Sequence, residues 1–340
     1  MSALRVMTEH ALQPYWDLTL ATVRADALRV ALEWRLFDRL CQPLGATELA
    51  RQLESDPANT GYLLELLWSM QLLDRDDALR YCNSAVAQEY FCTCAARYCG
   101  DAWGFRLANL RRFGGQLAEQ VSSGQPLTAG FAPGGWASAA KVQIAQEQRA
   151  VTADLAVALL AQLPEFAGAR RLLDLGGGPG LVAIALATAH PQLQGEVFDF
   201  ADTVAIAADN IRQAGLQQRL GVRAGDLDQD PLGEGFDLIW CSSVLHFVQD
   251  PLASLGRIRA ALRPGGVLVC AQAQIPDDPS AAARVLPYYL SMRMQGRHVT
   301  GAGGLQALAR EAGFVGIECH AEVPFAVAPV AVLVARRGES

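Results

Sequence analysis

From about residue 165 the chain alternates short, almost wholly apolar runs with longer stretches of helical spacing, and few architectures accept that order. RRLLDLGG reads as a strand closing on glycines, LVAIALATAH as a helix, GEVFDF as a strand, ADTVAIAADNIRQAG as a helix and RLGVRAGD as a third strand. FDLIWCSSV and GGVLVCAQ continue the strands, with LASLGRIRAALRPGG as the helix between them; LQALAREAGF then precedes a terminal strand pair, GIECHAEV and AVAPVAVLVARR. Repeated units of this kind predict an α/β fold with a Rossmann-like, doubly wound, mostly parallel sheet. Ligands in such sheets bind at the carboxyl ends of the strands, near the point where strand order reverses.

The N-terminal third has a different texture. Apolar residues recur at three- and four-residue steps in Leu28, Ala31, Leu32, Leu36, Phe37 and Leu40, and again in Leu63, Leu64, Leu67, Met70 and Leu73. Between these two helices Thr47 is placed to cap a short helix, TELARQL. LLDRDDALRYCNSAVAQEYF reads as a hairpin turning at Asp76-Asp77, followed by another helix. That is the order of a winged helix. Its third helix, read as Thr60 to Leu73, contains no Lys, Arg or His, so the unit is expected to pack against protein rather than DNA. Residues 101–150 read as a helical connection broken at 122–136, where four Gly, two Pro and two Ser mark a loop. Such a loop either covers an active site or joins domains. The expected organisation is therefore 1–100, 101–150 and 151–340.

Composition narrows the function classes. Hydrophobic residues make up 51% and charged residues 19%, too apolar for disorder and enough to furnish a subunit interface. No apolar run reaches the roughly 18 residues of a spanning helix; the longest tail run, Phe325 to Ala335, is broken by Pro329. The first residues carry charges and no apolar export core, so a soluble, cytoplasmic protein is expected. A net charge of −7 repels phosphate backbones and anionic lipid, which argues against nucleic acid and membrane as partners. Of the eight cysteines, Cys92, Cys94 and Cys99 lie close together but lack the second CxxC or His pair of a zinc module; they read as thiols, with no metal.

Three features fall at strand ends. Leu173-Asp174-Leu175-Gly176-Gly177-Gly178-Pro179-Gly180 is a GxGxG turn, with Leu181 where the dinucleotide fingerprint has its third glycine. Asp199, nineteen residues beyond Gly180 and followed by Phe200, closes the next strand, where a carboxylate can accept both hydroxyls of a ribose. Asp226, followed by Leu227, closes the third, where a carboxylate can take a proton from an adenine amino group. The last is no part of the nicotinamide fingerprint.

On these residues the chain resembles the class I S-adenosylmethionine-dependent methyltransferases, and more narrowly the small-molecule O-methyltransferases that join such a domain to an N-terminal winged-helix dimerisation domain. LLDLGGGPG, FDF and AGDL match that family's strand-end motifs and LRPGGVLV its approach to the fifth strand; ALRVALEWRLFDRL and YLLELLWSMQLLDRDDALRYCNSAVAQEYF match its dimerisation domain. The resemblance implies S-adenosylmethionine held by Asp174, Gly176, Gly178, Gly180, Asp199, Phe200, Asp226, Leu227 and Ser242, a homodimer, and a small, specialised metabolite as substrate. His246, in Ser242-Ser243-Val244-Leu245-His246, stands where the family keeps a general base. The acid that usually follows is Phe247, the Glu usual after the fifth strand is Gln272, and a second Glu has no counterpart in 296–304.

A His without a carboxylate partner loses the group that orients its ring and steadies the imidazolium. Methyl transfer from a sulfonium depends above all on proximity and alignment, so the depleted set favours an O, N or activated C atom that is already nucleophilic. Tyr289 and Met292, with Tyr288 and Met294, lie where the family lines its acceptor pocket, and Trp136 lies in the loop that can close over it; such a lining suits a flat apolar acceptor. The alternative is an enzyme on the same fold that uses S-adenosylmethionine without moving its methyl group, for example by intramolecular cyclisation with release of methylthioadenosine.

Overall fold

The computed structural model describes residues 10–125 and 135–339, and the chain divides into two compact units, Met1–Ala108 and Asn109–Ser340. The first unit opens with the helix Gln13–Glu33, which Pro14 starts and a left-handed Arg35 (φ 52°) terminates. Short helices Leu36–Arg39 and Ala46–Leu53 follow. The residue capping the latter is Gly45, not Thr47: the backbone enters extended at Gly45 and Thr47 already lies inside the helix. The second long helix runs Pro57–Ser69, starting earlier than its apolar spacing suggests, because Asp56 caps it through the Asn59 N–H (2.8 Å) and Pro57 fits its first position. β1 (Leu73–Arg75) and β2 (Tyr81–Asn83) form the antiparallel hairpin. At its turn the Asp76 carboxylate accepts the N–H groups of Ala78 and Arg80 at 3.0 and 2.9 Å. Helix Ala85–Tyr90, capped by Ser84, completes the wing.

Helix Gly100–Ser123 carries the chain from the first unit to the second. It runs through Ser122 and Ser123, and a helix begins at Gly135, so Trp136 is helical rather than part of a loop; of the expected loop, Gly124 and Gln125 do lie outside any helix, and 126–134 lies outside the described residues. From 135 to 160 α-helical turns alternate with π-helical ones at Ala140–Ile144 and Gln148–Thr152.

The sheet of the second unit is built from β3 (Arg171–Leu175), β4 (Gln194–Asp199), β5 (Leu220–Ala224), β6 (Phe236–Ser242) and β7 (Leu262–Gln272), all parallel. A short parallel pair, β8 (Gln274–Ile275) with β9 (Thr300–Gly301), stands apart. β10 (Val315–Val323) and β11 (Val330–Arg336) add antiparallel strands, giving the order β10-β11-β7-β6-β3-β4-β5. The chain thus starts in the middle at β3, winds outward through β5, then returns to β6. The strands are apolar runs because helices cover both faces. One face packs Leu172, Trp240, Val267 and Val269 against Leu186 and Ala207; the other packs Leu173, Ile239, Leu268 and Cys270 against Leu255 and Ile258. The reversal of strand order between β3 and β6 puts their carboxyl ends at the switch point.

Candidate active site

The turn after β3 is held from several sides. Gly176 donates its N–H to the Phe198 carbonyl at 2.8 Å. Gly176, Gly178 and Gly180 all have positive φ, at 64°, 59° and 75°. A Cβ on Gly176 would stand 2.3 Å from Val244 Cγ2, so this backbone runs too close to the segment after β6 for any side chain. Asp174 is buried and its Oδ2 accepts the Ala183 N–H (3.2 Å) in the first turn of helix Leu181–Ala189. Burial pushes its carboxyl up to about 7 against the pull of that N–H, and the charge on Asp199 adds to the rise.

Asp199 ties the turn to β4. Its Oδ2 accepts the Gly178 N–H at 2.9 Å and its Oδ1 the Phe200 N–H at 2.7 Å. Burial raises its pKa and these two N–H groups oppose the rise. Each oxygen keeps a lone pair for one further donor, and the next side chain, Phe200, is 47% exposed. Asp226 braces its own turn, accepting the Asp228 N–H (2.9 Å) and the Gln229 amide (3.1 Å), with Leu227 buried behind it. Ser242 ends β6, its hydroxyl 3.3 Å from Trp240 Nε1.

Sequence reasoning missed two further members of this cluster. Gln148, on the second π-helical turn, donates from Nε2 to the Gly177 carbonyl and accepts the Leu181 N–H, each at 3.1 Å. Asn210 Nδ2 donates to the Pro179 carbonyl at 2.8 Å. The only trace of Gln148 in the sequence is a polar residue sharing the i, i+4, i+8 face of buried Thr152 and Ala156. π-helical turns recur at functional sites, where they widen the helix and re-aim a side chain.

The second cluster follows β6. Ser243 turns the chain with φ 57° while donating its N–H to the Ala271 carbonyl of β7 (2.9 Å). His246 comes next, 1% exposed, with Nδ1 2.8 Å from the His298 carbonyl oxygen. A carbonyl can only accept, so Nδ1 carries the hydrogen and Nε2 the lone pair. His298 returns its own N–H to the His246 carbonyl (3.3 Å) and its ring Nε2 lies 3.2 Å from the Gln249 carbonyl. Burial drops the His246 pKa to about 4, against the His298 carbonyl, which favours the charged form; the ring is neutral at pH 7.

Among the described residues His246 Nε2 has no protein partner, nor has either amide atom of Gln272, 3% exposed at the end of β7. The His246 ring lies 5.2 Å from that of Tyr289, which clusters with Met292 and Tyr288. Phe247 meets Trp136 edge-on at 4.9 Å and carries the Arg297 guanidinium at 5.5 Å. The structure thus gathers His246, Phe247, Tyr289, Met292 and Trp136 through shared contacts, and separately gathers Asp174, the glycines and Asp199.

The family profile described as the O-methyltransferase domain matches residues 137–315, and that of the O-methyltransferase dimerisation domain matches residues 16–93. The chain is similar to the 3-hydroxy-5-methyl-1-naphthoate 3-O-methyltransferase of Streptomyces sahachiroi, 28% identical over 84% of this chain and 85% of that one. It is similar also to the N,N-dimethyltransferase OxyT of Streptomyces rimosus, 31% identical over 74% and 76%. In fold it resembles human N-acetylserotonin methyltransferase in complex with SAM, with a TM-score of 0.77 at 21% identity over 98% of this chain and all of that one.

Proposed function

This chain belongs to the O-methyltransferase family, and from that premise we propose how its two strand-end clusters divide the work. The enzyme transfers a methyl group from S-adenosylmethionine, which when bound supplies an electrophilic methyl on a sulfonium, to a small specialised metabolite. In our reading Asp199 holds the ribose: a vicinal diol offers two donors, and each carboxylate oxygen has one lone pair left. The exposed ring of Phe200, with Asp226 and Leu227, takes the adenine. Asp174, Gly176, Gly178 and Gly180, braced by Gln148 and Asn210, shape the turn that lets the backbone approach the cofactor, and Ser242 closes the site at β6.

His246 is the proposed catalytic base. One observation carries this: the His298 carbonyl fixes the Nδ1–H tautomer and leaves a buried Nε2 lone pair that no described residue meets. A backbone carbonyl here takes the orienting role for which the family uses a carboxylate. It adds no negative charge to steady an imidazolium, so the acceptor that suits this site is an acidic hydroxyl on a flat aromatic ring, with Tyr289, Met292 and Trp136 as its apolar lining. The naphthoate hydroxyl for which one relative is named is of that class.

The first unit is proposed as the dimer-forming part. Its first helix leaves Tyr15, Trp16, Leu18, Leu20 and Val23 exposed, apolar surface a second copy would cover, and the 16–93 match supports it. Residues 101–150 are proposed to connect this part to the transferase domain.

The test incubates the enzyme with S-adenosylmethionine and a panel of hydroxylated naphthoates, read by mass spectrometry. S-adenosylhomocysteine is expected in step with an O-methylated product. Methylthioadenosine appearing without any methylated acceptor would overturn the reading in favour of cofactor cyclisation.

A further inference from the structure

Three of the eight cysteines converge in the first unit, in a place the methyl-transfer site does not use. Cys41 follows the helix Leu36–Arg39, and Cys92 and Cys94 lie in the turn after helix Ala85–Tyr90. Asp38 pins the two segments together, its carboxylate accepting the Thr93 N–H at 2.7 Å and the Thr93 hydroxyl at 3.0 Å. The result is a row of sulfurs: Cys92 Sγ lies 3.1 Å from Cys94 Sγ and 3.7 Å from Cys41 Sγ. Cys92 is buried, whereas Cys41 and Cys94 are exposed. Exposed thiols gain little by packing, and among the described residues no group of His, Cys, Asp or Glu is arranged to hold a metal ion. The chemistry left to such a row is thiol–disulfide exchange.

We propose that Cys92 and Cys94 form a reversible disulfide, with Cys94 as the entry thiol and Cys92 as the resolving one. Closing the bond to about 2.05 Å asks the two sulfurs to approach by about 1 Å. Cys41 is the less suited partner: it is the farther from Cys92, and its sulfur lies 3.6 and 3.5 Å from the carbonyl oxygens of Phe37 and Asp38, which its S–H can reach. Burial, with the contact to Cys94, pushes the Cys92 thiol up to about 12, so Cys92 waits protonated until a partner sulfur is activated beside it.

The oxidant is a low-molecular-weight disulfide such as glutathione disulfide. The Cys94 thiolate attacks one of its sulfurs, forming a mixed disulfide and expelling one thiolate. Cys92 gives its proton to the first departing thiolate and attacks the Cys94 sulfur, expelling the second as a thiolate that takes from water the proton Cys94 had lost. Two protein thiols become one disulfide, and one disulfide becomes two thiols.

The experiment treats the reduced, folded full-length protein with glutathione disulfide, quenches in acid, alkylates and digests with trypsin. Cleavage at Arg80 and Arg97 isolates one peptide holding Cys82, Cys92 and Cys94, while Cys41 falls in the separate peptide 40–51. The expected product is the 81–97 peptide two hydrogens lighter, alkylated once, at Cys82, and restored to three alkylations by dithiothreitol. Exposed Cys94 can be replaced without disturbing the core: Cys94→Ser should abolish the closed peptide and Cys41→Ser should leave it intact. In Cys92→Ser the glutathione adduct on Cys94 should persist. Full alkylation after oxidant, a lasting Cys94 adduct in the unmodified protein, or a cross-link between 40–51 and 81–97 would each overturn the proposal.

Discussion

The two clusters of the second unit treat their buried polar groups in opposite ways. In the cluster after β3 and β4, each carboxylate is already engaged by backbone: Asp174 by Ala183, Asp199 by Gly178 and Phe200. Past the carboxyl ends of β6 and β7, by contrast, His246 Nε2 and both amide atoms of Gln272 are buried with no protein partner among the described residues. Leaving a polar atom so costs roughly 1–3 kcal/mol. The fold satisfies the first set of groups by itself; under the proposed function the acceptor would complete the second. In the proposed reading the shared cofactor meets a preset backbone cradle, and acceptor choice falls to groups that the fold leaves open.

The largest effect is expected at His246, if it is the base proposed above. His246→Ala should lower turnover by about two to four decades, the usual contribution of a general base, while S-adenosylmethionine affinity stays unchanged, since the ring belongs to the other cluster. Steady-state kinetics with calorimetry checks both. A loss of cofactor affinity of similar size would erase the division between the clusters.

Acid should separate the clusters next. The His246 ring takes its proton near pH 6.5 when unfolded but near 4 when folded, so between these values the unfolded chain binds the extra proton and stability falls as pH drops. Asp174 acts in the opposite sense: its folded carboxyl protonates near 7 and its unfolded one near 3.8, so the same acidification favours the fold. Each contribution is on the order of 3 kcal/mol, and in the natural protein they offset one another. Asp174→Asn removes the second alone, and its stability relative to the natural protein should decline from pH 7 to 4.5. Urea unfolding curves at several pH values that stay parallel for the two proteins would sink this account.

Asp199→Ala should weaken S-adenosylmethionine binding at least tenfold by calorimetry, because two charge-assisted hydrogen bonds of roughly 1.5–3 kcal/mol each are at stake. It should leave the pKa of His246 in place. Unchanged cofactor affinity would remove Asp199 from the cofactor half.

What the sequence made legible follows the same division. The glycine turn, Asp199 and the strand order could be read because each depends on a few consecutive residues and a local conformation: positive φ at Gly176, a carboxylate at a strand end. His246 could be placed by its position after β6. Its tautomer could not, because the group that sets it is a backbone carbonyl 52 residues away, which any side chain at 298 could bring. Gln148 and Asn210 were illegible for a related reason, as they act on the carbonyls of Gly177 and Pro179 from helices distant in the chain. The absence of a carboxylate beside His246 was readable, and its replacement was not.

The smallest effect tests the open cluster without touching the base. Gln272→Met keeps the length and apolar stem of the side chain and deletes the two amide atoms that have no partner among the described residues. Volume-conserving exchanges in a core are well tolerated, and relieving an unsatisfied buried amide should stabilise the ligand-free enzyme by about 1–2 kcal/mol. That gain is expected by urea unfolding without substrate. If the amide is kept open for the acceptor, the same variant should raise the acceptor KM several-fold while cofactor affinity holds, so that stability and recognition move in opposite directions. A variant less stable than the natural protein would mean that Gln272 already spends its amide on the fold, and the contrast between a finished and an unfinished cluster would then rest on His246 alone.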